Sequence, residues 1–205
     1  MLNELVRNMF LRPVLAGQQM MAMGLKREVL WMALVLVALL SAIQMSVTFQ
    51  FAEFHIPPDL SAEERALMEF VISIASRPFI LTMLIAGSLI ISVFFLHWVG
   101  RMIGGQGTLS EVLAVVTLWQ LVSFVAGLGI FLLSIFMLPV ASLVNMVLNI
   151  WLLYSLSGLL AAAHRFKTPL AGLATVVLTI FAVAFGLLVA FIILGVGSGI
   201  GATNV

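Results

Sequence analysis

From Val112 to Ala163 the chain runs for 52 residues without an acidic or basic side chain. As one straight helix this stretch would reach about 78 Å at 1.5 Å per residue. That is more than twice the roughly 30 Å hydrocarbon core of a bilayer. The stretch must therefore double back, and Pro139, in the series Leu133-Ser-Ile-Phe-Met-Leu-Pro139, is the natural place. Three further uncharged runs, residues 29–52, 78–100 and 168–205, each hold one segment long enough to span. The last fades into the glycine-rich Gly195-Val-Gly-Ser-Gly-Ile-Gly201, too weak a helix former to add another span. The count is five. A soluble fold is excluded by composition: 63% of the residues are hydrophobic and 8% charged, against about 45–50% and about 25% in soluble domains.

The reading is an all-α polytopic membrane protein with short loops. Residues 1–28 form an N-terminal amphipathic segment, and 29–195 a five-helix domain with spans near 29–51, 75–99, 110–135, 138–163 and 169–195. A tail at 196–205 follows. Thr108-Leu-Ser-Glu111 and Ser61-Ala-Glu-Glu64 have capping-box spacing, so helices start at Leu109 and Ala62 with their first amides satisfied. The second of these opens a short helix with Leu67, Phe70, Val71 and Ile74 on one face, suited to lying on the membrane. Thr168-Pro169 supplies a proline at a first helical position, where its missing N–H costs nothing. At the N-terminus Leu2, Leu5, Val6, Met9 and Phe10 share a face opposite Asn3, Glu4, Arg7 and Asn8, which predicts an interfacial helix ended or bent by Pro13.

Five spans put Arg7, Arg12, Lys26, Arg27, Arg101, Arg165 and Lys167 on one side and only Arg65 and Arg77 on the other. The second side also gathers Glu53, Asp59, Glu63, Glu64 and Glu69. Positive charge stays inside, so the N-terminus is expected in the cytoplasm and the C-terminus outside. Four or six spans would destroy this segregation.

No charged residue lies deep in any span. This argues against ion-coupled transport, which places such groups near the midplane, and against intramembrane catalysis, which needs a nucleophile with a base or metal. No catalytic residue, metal site or cofactor is expected. The chain contains no cysteine, and His97 and His164, at one membrane surface, are read as helix-end residues rather than zinc ligands. His55 falls in the opposite loop. A net charge of +1 gives nucleic acid nothing to bind. The deep polar groups are amides: Gln44, Gln120, Asn145 and Asn149. They are read first as packing contacts between helices and second as contacts for a ligand. Their depths suggest a Gln120–Asn149 pair, with Gln44 near Asn145. Small residues at Gly87, Gly127, Gly129, Gly158, Gly172 and Gly186 mark places for close helix approach.

The turn Gly100-Arg101-Met-Ile-Gly104-Gly105-Gln-Gly107-Thr-Leu-Ser-Glu111, the basic segment Arg12-Pro13 through Lys26-Arg27 and the closing His164-Arg-Phe166 together resemble the Yip1-domain family in a bacterial form. The resemblance implies a helical membrane domain with a cytosolic N-terminus, roles toward membranes or protein partners, and no established enzymatic chemistry. It points to Arg101, Gly104, Gly105, Gly107 and Glu111 as the characteristic cytoplasmic loop. Eukaryotic relatives act in vesicle trafficking with small prenylated GTPases through a longer cytosolic segment than these 28 residues, so that role does not carry over. The expectation is a non-catalytic protein of the bacterial cytoplasmic membrane that organises or stabilises a complex or a membrane region. Its partners would be membrane lipids and other membrane proteins, or copies of itself. The alternative is a transporter or binder of a lipid or small neutral solute.

Overall fold

The computed structural model describes residues 2–51 and 60–193. Glu53, His55, Asp59 and the glycine-rich tail lie outside them. Eight helices account for nearly all of the described chain: α1 (Leu2–Leu11), α2 (Pro13–Ala22), α3 (Arg27–Phe51), α4 (Ala62–Ala75), α5 (Pro78–Met102), α6 (Leu109–Phe136), α7 (Leu138–His164) and α8 (Pro169–Ile193). Five of them, α3 and α5 to α8, are long and apolar enough to cross a membrane.

Each boundary has a local cause. Pro78, Pro139 and Pro169 occupy first-turn positions, where proline needs no amide partner. The turn between α6 and α7 is a single non-helical residue, Met137 (φ −147°, ψ 75°). Both capping boxes form, with Ser61 and Glu64 satisfying each other's backbone amides at α4, and Thr108 and Glu111 doing so at α6.

The spans pack as a ring in the order α3, α6, α7, α8, α5, with α5 also touching α6 across it. The end bearing Lys26, Arg27, Arg101, Arg165 and Lys167 is called the basic end below; α4 sits at the other, the far end. There the Ser46 hydroxyl donates to the Ala75 carbonyl at 2.9 Å, tying the end of α4 to α3. The apolar face of α4 (Leu67, Phe70, Val71) is exposed.

Small residues set the closest approaches. A Cβ on Gly172 would stand 2.0 Å from the Ser157 carbonyl oxygen, so α8 meets α7 backbone to backbone. The Ser157 hydroxyl donates to the Pro169 carbonyl at the same contact. Gly127 faces Gln44, and Gly158 receives the ring of Pro13. Gly87, Gly129 and Gly186 have open space where a Cβ would be.

The amphipathic N-terminal segment is present as α1, and the structure adds what its pattern did not indicate. With α2 it forms a hairpin, clasped by Asn8 Nδ2 donating to Gln19 Oε1 (3.1 Å), that packs along the basic half of α7. Met9 and Ala16 are completely buried. Gly17 lies against Leu159 and Ala162. The Ser155 hydroxyl donates to the Met9 carbonyl at 3.2 Å, and Trp151 Nε1 reaches the Phe10 carbonyl at 3.4 Å while its ring stacks on Phe10. Trp119 donates to the Leu152 carbonyl at 2.9 Å. These two indoles, too deep for an interfacial belt, are hydrogen-bonded into the bundle.

Candidate functional site

At the basic end α5, α6 and α7 finish around one side chain. Helix α5 carries Gly100 and Arg101 in its last turn, and the chain then reverses through Gly104, whose φ of +93° suits only glycine. The Gly105 amide donates back to the Gly100 carbonyl (2.8 Å), and the Gln106 amide crosses to the His164 carbonyl (3.0 Å). Helix α7 ends with Arg165 in the left-handed region (φ 57°), and the Phe166 amide caps the Ala161 carbonyl at 2.9 Å.

His164 fills the space this folding leaves. It is 1% exposed, and three glycines make room for it. A Cβ on Gly100 would come within 2.2 Å of its Nε2, one on Gly105 within 2.6 Å of Nδ1, and one on Gly107 within 2.9 Å of Nδ1. Its ring stacks on Phe166 (centroids 5.3 Å apart) and lies nearly parallel to His97 at 6.4 Å. Among the described residues neither of its nitrogens, nor His97 Nδ1, has a hydrogen-bond partner. His164 is the last residue of α7, the helix-end position expected of it, but the expectation that it sits at the interface is corrected. It is a buried core group, because the glycine spacing of the turn builds a cage an imidazole wide.

Outside the cage Arg165 ties the elements together. Its guanidinium pairs with both oxygens of Glu111 and donates to the Gln106 carbonyl at 3.2 Å. Glu111 thus serves two roles, since one of its oxygens also accepts from the Thr108 amide (2.7 Å) and hydroxyl (2.9 Å). The loop residues singled out from sequence, Arg101, Gly104, Gly105, Gly107 and Glu111, are brought into one knot, with Arg101 exposed at its edge. The binding role of Arg165 was not visible in sequence. The unused face of the Glu111 carboxylate beside a cap was the only signal. Among the described residues no three potential metal ligands cluster.

The amides are not brought together as their depths suggested. Asn145 and Asn149 are both exposed, and Asn149 Nδ2 donates within its own helix, to the Asn145 carbonyl (2.8 Å) and Oδ1 (3.3 Å). Gln120 is half-buried and makes no side-chain hydrogen bond among the described residues, and Asn149 bonds to Asn145 instead, so the Gln120–Asn149 pair is not formed. The reason is that the far half of α7 stands clear: Leu143, Met146, Val147 and Ile150 are exposed, while the basic half, Ser155 to His164, is buried. Gln44 and Asn145 do share a space, a groove of about 840 Å³ between α3, α6 and α7.

A family model, the Yip1 domain, matches residues 7–192. The chain belongs to the Yip1 domain family. The match takes in both the α1–α2 hairpin from Arg7 onward and the whole knot, so in this Yip1 domain the hairpin is part of the domain rather than an appendage. Neither a curated protein nor a solved structure gives a significant match.

Proposed function

We propose that this Yip1-domain chain is a non-catalytic protein of the bacterial cytoplasmic membrane that holds a second membrane protein along the far half of α7. The observation carrying this reading is the outward face of Asn149 with Met146 and Ile150. Asn149 lies about 16 Å along α7 from Leu138, close to the middle of a core about 30 Å thick. Its Oδ1 receives no donor among the described residues. An amide acceptor left in hydrocarbon costs free energy, and a transmembrane helix offering a hydroxyl or amide removes that cost. The partner is a helix of another membrane protein or of a second copy; nucleic acid has no place here. The basic end and the N-terminus face the cytoplasm, because Lys and Arg gather there.

The absence of cysteine gives a clean test. Met146→Cys and Ile150→Cys, treated with a bifunctional maleimide in native membranes, are expected to give discrete cross-linked products. Adding Asn149→Leu should weaken them. Monomer alone at both positions would remove the reading.

A further inference from the structure

The groove at the far end carries a separate inference, independent of what α7 binds on its outer face. It is lined on α3 by Gln44, Thr48 and Phe51, and on α6 from Gly127 to Ile135. Its α7 wall is Leu138, Ala141, Ser142 and Asn145. At about 840 Å³ it is as large as the pockets that enclose whole organic ligands, roughly 300–1,000 Å³. Among the described residues none that lines it is ionisable. A charged solute would therefore lose its hydration with nothing to replace it.

Position identifies the occupant further. The walls run from the far ends of α3 and α6 inward, and Gln44 lies roughly 10 Å from Phe51 along its helix. The groove thus opens within the hydrocarbon layer and starts at its surface, so the molecules that reach it are lipids. Its mouth is apolar (Phe51, Ile135, Leu138), and deeper in it stand two amides, Gln44 and Asn145. The hydroxyls of Thr48, Ser134 and Ser142 donate to carbonyls of their own helices. Asn145 Oδ1 accepts from Asn149. The Gln44 amide alone among these makes no side-chain hydrogen bond within the described residues, and Gly127 leaves the space beside it, since a Cβ there would come 2.8 Å from Nε2.

We infer that this groove holds a glycerolipid of the far leaflet, its ester carbonyl accepting from Gln44 Nε2, its glycerol and headgroup leading outward past Phe51 and Ile135, and its acyl chains continuing inward into the hydrocarbon layer. Gln44 lies below the level where esters of bulk lipid reside, so the bound lipid is drawn inward from its neighbours.

The test uses full-length protein in phosphatidylcholine nanodiscs doped with a phosphatidylcholine carrying a photoactivatable diazirine on the acyl carbons next to the ester. Labelled peptides are located by mass spectrometry. Labelling is expected around Gln44 and Gly127, above that of the more exposed Phe181 on the outside of α8. Ser142→Trp, which fills the groove from an exposed position, should abolish it, and Gln44→Leu should lower it about three- to tenfold, the effect of one hydrogen bond. Phe181→Trp should change nothing. Equal labelling of Phe181 and the groove, or labelling indifferent to both Ser142→Trp and Gln44→Leu, overturns the assignment. Labelling that a free fatty acid, but no glycerolipid, competes away would also overturn it.

Discussion

Placing a methyl group on Gly100 tests whether the imidazole of His164 organises the basic end. The new Cβ would stand 2.2, 2.4 and 2.7 Å from Nε2, Cε1 and Cδ2 of the ring, so it must move by about 1 Å to reach ordinary contact. It has little room, because the backbone of Gly105 and Gly107 lies on the Nδ1 side so near that a Cβ on either would come within 2.6 and 2.9 Å of that nitrogen. Overpacking of a rigid core costs about 1–3 kcal/mol, and three simultaneous clashes place Gly100→Ala toward the upper end. Truncating the ring in His164→Ala leaves a cavity worth about 2–3 kcal/mol. It also removes two buried nitrogens that have no partner among the described residues, a relief of about 1–3 kcal/mol. The net cost of that single change is therefore about 1 kcal/mol. In the double variant the clash disappears and the new methyl group occupies part of the void. The sum of the single changes is about 3–4 kcal/mol, whereas the double variant should lose only about 1–2. Reversible unfolding in mixed micelles, followed by tryptophan fluorescence, measures all three. Additivity within about 0.5 kcal/mol would refute the cage.

Gly172→Ala should destabilise the bundle by about 2–4 kcal/mol, since its Cβ meets the Ser157 carbonyl and the α7–α8 hydrogen bond is lost with it; Gly87→Ala, with open space around it, should be neutral or stabilising by up to about 1 kcal/mol. Equal effects in the same unfolding assay would contradict the close approach. Glu64 has its carboxyl held below the usual range by hydrogen bonds from the Ser61 side chain and amide. The stabilisation is thus present above the unfolded-state value and lost as pH falls through the lower folded-state one. Amide exchange at the start of α4 should accelerate in acid, and Glu64→Gln should flatten that response. For orientation, a cysteine at Gln106 should resist an impermeant thiol reagent in intact spheroplasts, whereas one at Ala62, on the far side, should react; the reverse pattern would invert the topology.

The span count and the helix starts were legible because their causes are local. Charge-free runs, a proline at Pro139 and two capping boxes act on neighbouring residues, and each is present in the structure. Partnership was less legible. Asn145 and Asn149 have the right depth to meet other helices, yet depth fixes only one coordinate, and the rotation and lean of α7 turn both outward. The glycines of the turn read as chain reversal, and Gly104 is that, but Gly100, Gly105 and Gly107 are small because His164 lies against them. Nothing near them in the chain announces a ring from α7. The seat of Pro13 on Gly158 was equally hidden, because small residues on two distant helices reveal neither which faces meet nor in what order.

The hairpin's place on α7 also has a consequence for synthesis. Met9 accepts its hydrogen bond from Ser155, 146 residues later. At about 5–20 residues per second, the hairpin leaves the ribosome roughly 7–30 s before the surface that will bury it exists. Throughout that interval Met9 and Ala16 have no protein to cover them, and the membrane surface, to which the polar and apolar faces of α1 are suited, is where the nascent segment can wait. The amphipathic pattern at the start of the chain therefore describes a lodging during translation, and the contacts with Gly158 and Ala162 describe the destination.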